Sequence, residues 1–304
     1  MIPAAYLGQT AALGTAVCWT CSALAFSVAA RRIGVLSLNL IRLALAFGFL
    51  CLAAWALRGS PLPLDATPRA WEWLSVSGLV GFVFGDLCLF QAYVLIGPRI
   101  SSLLMSLAPP LTALIGWLVL GETLTGRDAL GMILTTAGIA WAVLERHPEG
   151  EAPGAGRPGP RASLAGVVLG SCGALGQAGG LVLSKLGMGS YDAVAATQVR
   201  VVAGIAGYAL LLLAFGRLGR VRESIRDRPA LGYATLGAFF GPFLGVSLSL
   251  FAVRHTVAGV AASIMALQPV LIIPMVVLLH RERVGIGGVF GALLATAGVA
   301  LLFF

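Results

Sequence analysis

Charge is what this 304-residue chain lacks: Asp, Glu, Lys and Arg make up 11% of it, where a soluble globular protein carries about 25%. Too few polar side chains are present to cover a water-facing surface. An ordinary soluble enzyme and a disordered chain are both excluded. Acids are scarcest, 12 against 20 basic residues, for a net charge of +8. The three histidines fall in loops without zinc-binding spacing. All five cysteines (Cys18, Cys21, Cys51, Cys88 and Cys172) lie in apolar runs, so neither a disulfide scaffold nor a metal centre is expected. Cys18 and Cys21 have redox-type spacing, but on an apolar stretch where small buried hydrophobes are the better reading. No glycine-rich dinucleotide motif, phosphate loop or Ser-His-Asp arrangement stands out, so neither catalysis nor a cofactor is expected.

Hydrophobic residues supply 59% of the chain, and the mean hydropathy is +0.96. A membrane-spanning helix needs roughly 20 mostly apolar residues. Ten such runs can be drawn: Leu7–Val28, Gly34–Leu57, Trp71–Ile96, Ser101–Leu120, Ala129–Leu144, Leu164–Leu186, Ala193–Phe215, Leu231–Val253, Val257–Leu279 and Val284–Phe303. The fifth is short and borrows its flanks. Lipid offers no hydrogen-bond partners, so each run must satisfy its own backbone as a helix. The first run lacks a basic leader and is too long for a signal-peptide core, so it reads as a span. The expected fold is therefore an all-α integral membrane protein with ten transmembrane helices.

The basic residues sit between the runs. Five lie on the side of the termini and 13 on the other, with Arg42 and Arg200 inside spans. Cytoplasmic loops attract Lys and Arg, which places both termini outside. The same rule explains the net charge without any nucleic-acid partner. The expected partners are the lipid bilayer and a small-molecule solute, with a monomer as the working state.

The second half repeats the first. Thr136–Ala140 matches Thr296–Ala300, and Gly121-Glu122 matches Arg281-Glu282, both 160 positions apart; Leu107–Leu111 matches Ala266–Val270 at 159, and Arg42 matches Arg200 at 158. Five spans per half is an odd number, so the second copy enters the bilayer upside down. Such inverted repeats place a solute site near the bilayer midplane, between the halves. The expected division is 1–145 and 163–304, with the Pro-, Gly- and charge-rich 146–162 as linker.

Ser106-Leu107-Ala108-Pro109-Pro110, Leu120-Gly121-Glu122-Thr123-Leu124 and the Thr-Ala-Gly segment of each last helix carry a family resemblance. With Ala266-Leu267-Gln268-Pro269 and Glu282-Arg283-Val284 in the second half, Gly85–Ala142 and Gly241–Leu302 resemble two EamA domains of the drug/metabolite transporter superfamily. The resemblance implies a ten-helix, 5+5 inverted bundle in the cytoplasmic membrane, moving small metabolites and often exporting amino acids or amphiphilic drugs. Many relatives have a Glu before the prolines of the fourth and ninth helices. Pro109 and Gln268 stand there in this chain, so no coupling carboxylate is carried over.

Ionisable residues inside spans are costly and mark cavities or partners. Arg42 and Asp86 fall at similar depths from the same membrane face, which predicts a pair: a charge gate or proton-sensitive latch, or else a permanent structural bridge. Arg200 is the repeat counterpart of Arg42. The counterpart of Asp86 falls near Phe243, so Arg200 lacks an evident acid. Gln177 is at a depth to hydrogen-bond it, and a solute carboxylate is its candidate ligand. Lys185 is expected to compete for Asp192. Asp86, Phe90 and Tyr93 share one helical face, as do Ser102, Met105, Ser106 and Pro109. Ala262, Met265, Gln268 and Pro269 form the corresponding set, with Trp19 and Ser247 adding an aromatic wall and a hydroxyl. These residues line a mostly apolar solute pocket or form ordinary helix contacts. Pro109, Pro110 and Pro269 are expected to kink their helices.

Overall fold

The computed structural model describes residues 6–145, 160–268, 270–271 and 286–303. All regular structure among them is helical. Helix α1 spans Leu7–Ile33 and α2 Val35–Arg58. Next come α3 (Pro68–Gly78), a π-helical segment (Leu79–Gly85) and α4 (Asp86–Met105). The first half closes with α5 (Ala108–Leu120) and α6 (Gly126–Glu145). In the second half α7 is Pro160–Met188, α8 Ala193–Ala214 and α9 a short surface helix, Leu218–Ser224. Then follow α10 (Arg228–Ala238), a second π-helical segment (Phe239–Gly245), α11 (Val246–His255), α12 (Ala258–Met265) and α13 (Ile286–Phe303).

Among the described residues, six helical stretches are long and apolar enough to cross a membrane, and Ala108–Leu120 and Gly287–Phe303 are shorter apolar helices. The chain is thus a multi-pass membrane protein. The fifth run does take in its flanks, as Gly126–Glu145. The later part of the ninth, 272–279, lies outside the described residues.

Local chemistry sets the boundaries. Gly34 adopts φ +75° between α1 and α2, where a side chain would be strained, so two spans follow each other with one linking residue. Thr67 caps α3 by accepting from the Ala70 amide at 3.2 Å. Asp192 and Asp227 cap α8 and α10 through the Ala195 and Ala230 amides, each at 3.0 Å.

Lipid provides little hydrophobic drive between helices, so small residues and close backbone approach hold them together. A Cβ placed on Gly187, Gly180, Gly176, Gly173 and Gly166 of α7 would meet Trp73, Gly81, Gly85, Leu89 and Ile96 in turn, so α7 runs antiparallel to the third span. Gly237, Gly241 and Gly245 meet Phe26, Ser22 and Trp19 of α1 in the same sense. First-span-on-eighth thus mirrors sixth-on-third. Counterpart helices run antiparallel to one another as well. On α6 and α13, Gly131 faces Leu302 and Gly138 faces Ala295 and Gly291. In the fourth and ninth spans the contact is between non-equivalent segments, Ala113 of α5 facing Gly259 of α12.

Helical hydrogen bonding continues through Gly97-Pro98-Arg99, where the sequence suggests a loop. The chain nevertheless doubles back there. Ile96 meets Gly166, whereas Leu104 meets Gly170, a turn back toward the Leu89–Gly173 contact.

Pro109 and Pro110, expected to kink their helix, do not lie in a helix interior. The fourth span is interrupted by a turn at Ser106-Leu107, and Pro109 and Pro110 then fall in the first turn of α5. Amides there have no intrahelical acceptor, so proline costs little. An equivalent turn at Ala266-Leu267 follows α12, while Pro269 lies outside the described residues. These turns and the two π-helical segments are all 160 positions apart. In that register Val246 is the counterpart of Asp86 instead of Phe243, and Ala108 that of Gln268 instead of Pro109.

Candidate functional site

The first π-helical segment places the one acid found in mid-span among the described residues. Its wider turn shifts the phase of the helix just before Asp86, a distortion found frequently at functional sites. Asp86 is 7% exposed and forms a buried ion pair with Arg42 of α2 through Oδ2. Its Oδ1 accepts from Gln177 Nε2 of α7 at 2.8 Å. The predicted pair is therefore present. Gln177, however, bonds the carboxylate and not Arg200. Its amide is needed there because Asp86 has a second oxygen that Arg42 leaves free.

Two phenyl rings flank the pair. The Arg42 guanidinium carbon is 5.3 Å from the Phe26 centroid and 5.8 Å from that of Phe90. Arg200 of α8, 5% exposed, lies on the Phe82 ring at 4.9 Å. It is within electrostatic range of Asp86, but it forms no hydrogen bond among the described residues, and its Nε is fully buried. A cation–π contact in a dry site contributes about 2 kcal/mol, which leaves most of the desolvation cost of a guanidinium uncompensated. The buried centre thus holds two cations and one carboxylate, which pairs with Arg42 alone among the described residues, and its net charge is positive.

The surroundings fix this geometry. Tyr208 donates to the Phe82 carbonyl at 2.7 Å, satisfying an acceptor in the π-helical segment. Ser77 donates to Gly180 O and approaches Ser184 Oγ, both at 2.6 Å. A Cβ on Gly78 would fall 2.3 Å from the Arg200 carbonyl, so only glycine lets α3 and α8 approach this closely.

The other predicted residues scatter. Phe90 belongs to the cluster. Gln268 Nε2 donates to Trp19 O at 3.3 Å, and the Trp19 indole packs on Gly245. Met265 sits in the apolar core, 2% exposed. Ser247 Oγ is buried without a partner among the described residues. Met105 is half-buried, and the Ser102 and Tyr93 side chains lie outside the described residues.

The two ends of the bundle differ. At the end carrying Gly34, a half-open pocket of about 240 Å³ is lined by Ser37, Leu87, Phe90, Gln91, Arg217 and Arg220 among others. Its wall thus includes Phe90, which touches Arg42. At the opposite end, polar contacts join the described helices. Lys185 Nζ lies 2.5 Å from Glu122 Oε1 and donates to Thr256 O at 2.6 Å, while Glu122 Oε2 accepts from the Ala258 amide at 2.9 Å. Beside it Asp65 pairs with Arg58 and accepts from the Tyr191 hydroxyl at 2.8 Å. Asp192, expected to attract Lys185, instead caps α8 and lies 4.0 Å from Arg58. Sequence reasoning missed these contacts, as it missed Phe82 and Tyr208. The Gly81/Gly85 and Gly241/Gly245 pairs were the signal for the π-helical segments.

The helical halves pack antiparallel with a buried charged centre between them, a two-repeat membrane fold. Residues 6–144 and 164–304 match the EamA-like transporter family, and the chain belongs to it. A Pseudomonas aeruginosa protein described as uncharacterized protein PA1977 is 32% identical over 206 residues, covering 68% of this chain and 64% of that relative. The match thus spans just under two thirds of the relative's length. A solved structure described only as a crystal structure of protein has TM-score 0.71 at 19% identity, covering 97% of this chain and 95% of its own. That likeness concerns the fold alone.

Proposed function

We propose that the chain is a secondary transporter of the cytoplasmic membrane that exports small amphiphilic metabolites, amino acids foremost, by alternating access around Arg42, Asp86, Gln177 and Arg200. The observation that carries this reading is the excess positive charge where the halves meet. Asp86 serves Arg42 and Gln177, and Arg200 has no anion of its own. A solute carboxylate supplies that anion as a two-pronged acceptor, and the rings of Phe82 and Phe90 offer an apolar wall. The Arg-rich open end is the cytoplasmic one by the charge rule, so the conformation described here takes solute from inside.

Drug or metabolite efflux by proton antiport is the second reading. It is favoured by Asp86, whose protonation would release Arg42. Uptake of radiolabelled amino acids into proteoliposomes, with and without a pH gradient, separates the two. Transport independent of the gradient supports facilitation. Gradient-driven accumulation that Asp86→Asn abolishes supports antiport. A leak-free preparation that moves no solute from a broad panel refutes both and favours a receptor.

A further inference from the structure

The pocket at the Gly34 end carries features that the central cluster does not use. Ser37 lines it, is 5% exposed, and has no side-chain hydrogen bond among the described residues. The pocket includes Gly34, Val35 and Leu36, the start of α2, which has no side-chain cap because its N-cap residue is glycine. The first amides of a helix have no intrahelical acceptor and favour negative charge. Arg217 and Arg220, one turn apart and both exposed, complete the polar side. Asp227, an acid of the same face, is engaged by Arg32 at 2.9 Å. Ile33, Leu87, Phe90 and Leu212 make the rest apolar.

We propose that this pocket is a binding site for the carboxylate of a small organic anion with an apolar body, held by Arg217, Arg220, Ser37 and the α2 amides. Its volume of about 240 Å³ is below the ~300–1,000 Å³ of drug-sized sites, which suits a compact metabolite. Phe90 forms part of this wall and also touches Arg42, so the pocket lies on the way to the central cluster. That onward role rests on the transport reading above; the binding itself does not.

The test uses full-length protein in phosphatidylcholine nanodiscs, titrated calorimetrically with 3-phenylpropionate and its amide. The acid is expected to bind at least 10-fold more tightly than the amide. Arg217→Ala/Arg220→Ala, which alters only exposed side chains, is expected to weaken the acid at least 10-fold. Ser37→Ala should weaken it several-fold. Equal binding of acid and amide, or no effect of the double variant, overturns the proposal. Displacement of the acid by phosphatidylglycerol added to the discs assigns the pocket to a lipid headgroup and also overturns it. Arginine-dependent binding by a protein that transports nothing refutes the transport reading and leaves this site standing.

Discussion

Lys185 and Glu122 come from different halves of the chain and meet at 2.5 Å at the end opposite the pocket. Each also holds the α11–α12 link, Lys185 through the Thr256 carbonyl and Glu122 through the Ala258 amide. The contact is a clasp between halves, with side chains 22% and 13% exposed. Hydrogen bonds to charged groups contribute about 1.5–3 kcal/mol each. Lys185→Met is therefore expected to shift the population toward opening at this end. Thiol labelling of a cysteine introduced at Thr256 should accelerate roughly 10-fold in that variant. The exchanged pair Lys185→Glu/Glu122→Lys should rescue only in part, because a glutamate cannot donate to the Thr256 carbonyl nor a lysine accept from the Ala258 amide.

Arg200→Ala is expected to weaken carboxylate-bearing solutes at least 10-fold while changing their amides little, measured by competition in proteoliposomes. Arg200→Lys should recover only part of the loss, since an ammonium lacks the planar fork. Equal losses for acid and amide would remove the anion from the mechanism.

The glycine contacts predict opposite signs for similar substitutions. A Cβ on Gly138 would lie 2.3 Å from the Ala295 amide nitrogen, against backbone that has no rotamer to change. Gly138→Ala should destabilise by about 1–3 kcal/mol through overpacking. A Cβ on Gly232, within α10, meets nothing inside 4 Å. Gly232→Ala should be neutral or stabilise by up to ~1 kcal/mol. Thermal unfolding in detergent decides both.

The loop network at the end opposite the pocket has its own pH response. The Tyr191 hydrogen bond and the Arg58 charge hold the Asp65 carboxyl below the ordinary carboxylate value. Burial, then the bond to Asp65, raises Tyr191 to about 12. A depressed carboxylate contributes stability above its unfolded pKa and loses it as pH falls through the folded one. A raised phenol contributes below its unfolded value and loses it as pH rises from about 10 to about 12. The contact should therefore hold across neutral pH and loosen at both extremes. A phenolate absorbance titration should show one tyrosine near 12 that disappears in Tyr191→Phe. An unchanged curve would contradict the contact.

Several of these relationships could be read in the sequence and others could not. Equal depth predicted Arg42 beside Asp86, because rise per residue converts position into height within a bilayer. The matched Arg42 and Arg200 pointed to two related halves, and antiparallel packing of α6 on α13 follows from that. Depth does not say which way a side chain faces. Gln177 was therefore placed at the right height but with the wrong partner, and for Met265, which is buried in the core, pocket lining and helix packing could not be told apart. The first π-helical segment changes helical phase without any proline to announce it, so a strict 3.6-residue period carried through Leu79–Gly85 misassigns the faces beyond it. Glu122 and Lys185 read as loop charges because their meeting depends on how α5 and α7 end, which no local pattern encodes.

Along the seam between α6 and α13, Gly131, Gly138, Gly291 and Gly298 bring main chain against main chain. Where backbone meets backbone there is no rotamer to change, so the joint resists sliding, and the Trp141–Phe290 ring pair at 5.3 Å closes one end of it. On the transport reading proposed above, these two helices are expected to stay together as a stationary post while other helices swing.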